Sequence, residues 1–194
     1  MNEAKALLDL FVMLITDPRI AVLFALLVTA AIHDVRTYKI PNWLTMGGAA
    51  FGLTYSLFVP FPMHGGFLWA LGGLALGLAL MLPLYAMKVM GAGDVKLMAM
   101  AGSFLGLHEI FFAVIATFIV GGVLALGFSL SRGVLRNMLG NVKQLVLAMT
   151  VSVLAGPGGA GQPAVEHSAG KLPYGVSICI ATIGYVVARQ LGFL

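Results

Sequence analysis

Apolar runs long enough to cross a bilayer alternate along this chain with short polar interruptions, and the interruptions set where helices begin and end. Asp17-Pro18 supplies an acceptor followed by proline at a first turn, which is a helix start. A first span is therefore expected over about residues 19–33, continuing through Asp34. Ile40-Pro41-Asn42 ends it, because proline lacks an amide donor and restricts the residue before it. A second span is expected over about 43–59, closed by the Pro- and Gly-bearing stretch 60–66, and a third over about 67–87. A short glycine-bearing fourth follows at 95–107, a fifth at 109–130 and a sixth at 172–191. Residues 1–16 hold an apolar run broken by Asp9 that is too short to span, and an interfacial helix is expected there.

The stretch between the fifth and sixth spans has another rhythm. Val134, Leu135, Met138, Leu139, Val142, Leu145, Val146 and Met149 recur at spacings of three and four, with Arg132, Arg136, Lys143 and Gln144 on the other face. That pattern predicts a basic amphipathic helix in the membrane surface. Residues 156–170 are rich in glycine and proline without periodicity and read as a flexible loop. Composition agrees with the pattern. Hydrophobic residues make up 60% of the 194 and charged residues only 9%, against roughly a quarter charged in a soluble domain. Too few charges exist to cover a water-facing surface. The expected fold is all-α: one polytopic membrane domain of about six transmembrane helices, with amphipathic interfacial helices at 1–16 and within 131–171. The lone cysteine, Cys179, supports neither an intrachain disulfide nor a four-cysteine metal site.

Charge then fixes orientation. Six spans gather Arg36, Lys39, Lys88, Lys96, Arg132, Arg136, Lys143 and Lys171 on one side, leaving Lys5, Arg19 and Arg189 on the other. The positive-inside rule places the larger group in the cytoplasm. The net charge of +4 is thus spent on topology, and no nucleic-acid partner is expected. The same topology puts Asp34 and Asp94 at cytoplasmic helix ends, at similar depth. Both belong to a set of only seven acidic residues, and an ionisable group at a membrane boundary is a functional candidate. Gly91 and Gly93 precede Asp94, permitting close backbone approach, and the helix dipole favours an ionised Asp94. Two carboxylates held close tend to share one proton. One then serves as base toward water while the other polarises a carbonyl, which is peptide hydrolysis without metal or cofactor.

"DVRTYKIPN" (34–42) and "GAGDVKL" (91–97) resemble the two signature regions of the type IV prepilin peptidases, membrane aspartic peptidases of the GxGD group. "KLPYG" (171–175) is similar to the start of that family's final helix. The resemblance implies Asp34 and Asp94 as the catalytic pair. Within and beside these stretches, Gly91 and Gly93 by their room for close approach, and Lys96, Pro41 and Asn42 by their position, are candidates for shaping the site or binding substrate. The resemblance also implies prepilin-like substrates, a multi-pass place in the cytoplasmic (inner) membrane, and contact with the lipid bilayer. Larger members carry an added cytoplasmic region with paired cysteines; one cysteine and a short first loop match the short, peptidase-only form that serves tight-adherence (Flp-type) pili. Two rivals stand beside this reading: a proton-coupled transporter or channel with the aspartates as relay, and a catalytically silent pilus-assembly subunit. Ser103 lacks a supporting dyad, and "HEIFF" lacks the second histidine of a H-E-x-x-H zinc site.

Overall fold

A computed structural model describes residues 18–58, 66–87, 89–131 and 173–193. The chain forms two compact units, Met1–Gly121 with Pro173–Leu194, and Gly122–Leu172. Of the second unit the described part is residues 122–131, the end of a helix. The interfacial helix expected at 1–16, and the amphipathic helix and loop expected within 131–171, fall outside the described residues apart from Ser131. Among those residues every regular element is helical: α1 Pro18–Thr37, α2 Asn42–Phe58, α3 Gly66–Ala86, α4 Ala92–Ser131 and α5 Tyr174–Gln190. Three of them, α1, α3 and α4, are long and apolar enough to cross a membrane.

Burial follows narrow stripes. On α1 the buried residues are Arg19, Leu23, Leu27, Ala30 and Asp34, spaced three and four apart as one face of a helix requires. On α3 they are Ala70, Gly73, Gly77 and Met81. The remaining faces carry exposed apolar residues such as Val28, Ile32, Leu68, Leu71 and Leu82, as suits a lipid surrounding. With no gain from hiding apolar surface between helices in lipid, close backbone contact has to supply the packing. The three G-x-x-x-G pairs meet that need. Gly48 lies against Met100, Gly52 against Ser103 and Phe104, Gly73 against Gly102, and Gly77 against the Met98 carbonyl. A side chain at Gly73 or Gly102 would overlap the opposing backbone.

The expected fourth and fifth spans follow one another directly in α4, 40 residues in all, as two helical segments meeting at a kink. At about 1.5 Å per residue α4 is roughly twice as long as a bilayer core is thick. It is broken at Gly106, whose φ of 78° and ψ of −177° lie in a region open almost only to glycine. The Trp69 indole fills the place where a Cβ would stand. A helix broken inside a bundle leaves backbone groups to be met by other means. Ser103, whose carbonyl an unbroken helix would offer to Leu107, accepts a hydrogen bond from Arg19 at 3.1 Å. The same guanidinium donates to Ser56 Oγ at 2.9 Å and lies 4.6 Å from the Trp69 ring centre. Arg19 is 1% exposed. Counted from sequence only as one of three charges on the far side, it falls on the buried stripe of α1.

At its far end α1 stops at Thr37. Tyr38 takes the left-handed conformation (φ 51°), donating its amide to the Asp34 carbonyl at 2.8 Å. Thr37 Oγ1 bonds the His33 and Lys39 carbonyls, and the Pro41 carbonyl accepts from Leu44 and Thr45 to begin α2. The first connection is thus a short, internally bonded turn.

Gly106→Ala is expected to cost about 3 kcal/mol or more, since it combines a conformation closed to alanine with a clash against Trp69. Folded yield and thermal unfolding in detergent measure it, with Gly122→Ala, which meets nothing within 4 Å, as the neutral comparison.

Candidate functional site

The antiparallel run of α1, α2, α3 and the first part of α4 brings the end of α1 and the start of α4 to the same end of the bundle. Asp34, in the last turn of α1, is 6% exposed, and Asp94, in the first turn of α4, is 8% exposed. The two carboxylates are close enough to act on each other electrostatically. α5 packs along α1 and delivers its own first turn to the same place.

Each carboxylate is met by a helix N-terminal amide. Asp94 closes a cap on its own helix: its Oδ2 accepts the Gly91 amide at 3.1 Å, while its own amide donates to the Gly91 carbonyl at 3.2 Å. This is the N3 half of a capping box, the other bond being an ordinary backbone turn because glycine has no side chain to offer. Asp34 caps a different helix. Its Oδ2 accepts the Gly175 amide at 2.7 Å, one of the orphan donors of the first turn of α5. Pro173 at the N-cap of that helix offers no side-chain bond, so α1 supplies the acceptor that α5 lacks. Helix dipoles therefore point their positive ends at both acids. Oδ1 of each aspartate makes no hydrogen bond among the described residues. Two carboxylates within electrostatic reach of one another, each held through Oδ2 and with Oδ1 unbonded among the described residues, form an arrangement able to activate water and to donate a proton.

Gly91 and Gly93 both sit here, though for different reasons than torsional freedom, since neither has a positive φ. Gly91 gives its amide to Asp94. Gly93 makes room for Ile40: a Cβ there would lie 3.2 Å from the Ile40 Cβ, so the 38–41 turn rests on the start of α4. Pro41 begins α2 beside this contact. Lys96 and Asn42 are joined to one another, Nζ donating to Oδ1 at 2.9 Å on the exposed rim. That bridge ties the start of α2 to α4. Ser103 is fully buried and donates its hydroxyl to the Met100 carbonyl at 2.7 Å. Among the described residues no three His, Cys, Asp or Glu side chains converge as a metal site would need.

Tyr174 and Gly175 are the site residues that the sequence left without a role. Tyr174 is half-buried and lies within electrostatic reach of Asp94, while the next amide bonds Asp34. Gly175 has no space for a side chain: a Cβ would stand 2.9 Å from Asp34 Oδ2 and 3.0 Å from Asp34 Cβ. The "KLPYG" motif held this signal, but a backbone donor leaves no chemical mark in a sequence. Glu109 was also missed. It is 5% exposed and accepts from Arg189 at 2.6 Å, from Tyr185 at 2.5 Å and stands 3.2 Å from His108 Nδ1.

Residues 21–126, more than half of the chain, match the sequence model of the type IV leader peptidase family. No curated protein and no solved structure matches the chain.

Gly175→Ala is expected to push the Asp34 carboxylate off its amide and to destabilise the fold by about 1–3 kcal/mol. Lys96→Gln, on the exposed rim, is expected to stay within about 0.5 kcal/mol. Thermal unfolding of both variants in one detergent tests the contrast.

Proposed function

We propose that this chain, which belongs to the type IV leader peptidase family, is a membrane aspartic endopeptidase that removes leader peptides from type IV prepilin-like proteins on the cytoplasmic side of the inner membrane. The observation that carries this reading is the pairing of Asp34 and Asp94. They come from helix ends sixty positions apart in sequence and meet at one end of the bundle, each bonded through one oxygen to a helix N-terminal amide.

In the proposed reaction one carboxylate, ionised, takes a proton from water as the oxygen attacks the scissile carbonyl carbon. The other, protonated, donates to the carbonyl oxygen, giving a neutral tetrahedral diol. Transfer of a proton to the amide nitrogen lets the C–N bond break, releasing a carboxylic acid and an amine, and the pair returns to sharing one proton. No covalent intermediate and no metal takes part. Gly91 and Gly175 hold the carboxylates through their amides, and Gly93 keeps the 38–41 turn against α4. Pro41, Asn42 and Lys96 form the rim over which an extended substrate would enter.

The break at Gly106 supports counting α4 as two crossings, giving six in all with α2 and α5. Basic residues at Arg36, Lys39, Lys88 and Lys96 support a cytoplasmic site. A proton relay calls for carboxylates near mid-depth in interrupted helices, whereas these two lie in terminal turns and the interruption of α4 at Gly106 is several turns beyond Asp94. A silent assembly subunit has no need of an intact pair.

Co-expression with a prepilin-like protein, read as loss of leader mass, tests the function. Asp34→Asn and Asp94→Asn are each expected to reduce cleavage by about 100-fold or more at unchanged membrane abundance. Cleavage that survives either substitution would make the carboxylates structural and sink the mechanism.

A further inference from the structure

We propose that Glu109, held by Arg189 and Tyr185, is a positioning residue that sets the place of Asp34 from the opposite end of α5. Only the activity arm of its test rests on the peptidase reading above.

Among the described residues, α5 is hydrogen-bonded to other helices at its two ends alone. At its start the Gly175 amide meets Asp34. Near its finish Tyr185 Oη donates to Glu109 Oε2, and Arg189 Nη1 lies 2.6 Å from Glu109 Oε1. Between these ends the buried hydroxyls of Ser177 and Thr182 make no hydrogen bond, so they fix nothing. The surface that α5 buries is mostly small, Gly175, Ser177, Cys179, Ala181 and Thr182, with Ile178 as its one large side chain. Small side chains allow close approach but resist axial sliding poorly, because they offer little to interlock.

A helix is a stiff rod. Ten residues separate Gly175 from Tyr185 and fourteen separate it from Arg189, about 15 and 21 Å along the axis. A slip of one residue rise, about 1.5 Å, would carry the 2.7 Å bond at Asp34 out of hydrogen-bond range. Glu109 is well suited to prevent it. Its carboxylate is 5% exposed, and a buried acid deprived of its cation is strongly unfavourable, so the grip is firm. It also stands three residues beyond Gly106, where Trp69 seats the break. Asp94 lies in the first turn of the helix before that break. Glu109 therefore keys the donor of Asp34 to the segment that continues, across the break, from the helix that carries Asp94.

The test uses the full chain in lipid vesicles, with Cys179→Ser as background. Asp34→Cys with Gly175→Cys places a thiol pair at the contact; the Cβ separation of 3.0 Å falls short of the roughly 3.5–4.5 Å that a disulfide spans, so the bond closes after a small outward shift of the first turn of α5. Copper-catalysed cross-linking, quantified by blocking residual thiols with a maleimide polymer, reports alignment without reference to cleavage. Glu109→Gln is expected to slow cross-linking by about fivefold, the worth of one typical hydrogen bond. Tyr185→Phe, which removes a single bond and keeps the ion pair, is expected to slow it in the same direction, and decides the matter if the first variant does not fold. The swapped pair Glu109→Arg with Arg189→Glu is expected to recover much of the parent rate. Unchanged cross-linking in a folded Glu109→Gln or Tyr185→Phe protein overturns the proposal.

In the chain with Asp34 and Gly175 restored, the same two substitutions are expected to lower kcat on a prepilin-like substrate by about tenfold with KM unchanged. An unaltered kcat again overturns the positioning role. If the parent protein cleaves nothing, the peptidase reading fails while the cross-linking rates still decide this one.

Discussion

An acid buried among apolar helices needs donors, and the way this chain finds them governs the rest of its architecture. Asp94 takes its donor from the turn that starts its own helix. Asp34 takes its donor from a helix 141 residues away in sequence. The first contact is local and forms with α4 itself. The second exists only once α1 and α5 are side by side, so the site is complete only when the fold is. The glycine at 175 follows from this: nothing larger lets the two helices come near enough for a backbone amide to reach the carboxylate.

The same rule operates at the opposite end of the bundle. Gly106 interrupts α4, and Arg19 meets the Ser103 carbonyl just before the interruption. Glu109, just after it, is met by Arg189. The two arginines come from α1 and α5, the pair of helices that join at Asp34. Each of these helices is thus fastened to α4 at one end and contributes to the acid pair at the other. A break that would weaken a soluble helix serves here as a point of attachment, because the groups it frees are ones that lipid cannot satisfy.

Much of this was legible in the sequence. Proline and glycine punctuation located the helix ends to within a few residues, because those residues fail locally whatever surrounds them. The placement of Asp34 and Asp94 at the same end followed from counting turns. Glycine spacing marked the helix contacts. What stayed hidden depended on partners remote in the chain. Arg19, at the start of the first expected span, enters the sequence reading only as one of the three charges on the far side, since helical spacing alone does not say which face of a first turn is buried. Glu109 was weighed only against a zinc motif, and its cation lies 80 positions away. Lys96 and Asn42 were assigned to substrate separately, yet they bond each other. The break at Gly106 falls where the sequence separates a fourth span from a fifth, but its positive φ and the Trp69 ring packed on it leave no mark in the spacing.

The amide at Gly175 has a further consequence for how such a protein would lose its activity. A backbone donor has no protonation state or redox chemistry to be disturbed, and its constancy is that of the helical turn holding it. Helix ends, however, open before helix middles, and this one begins without a side-chain cap of its own. Warming would then undo the first turn of α5 while the bundle around it was still folded. Heat inactivation and unfolding would part company, and the working lifetime would be set by one fraying turn instead of the stability of the whole.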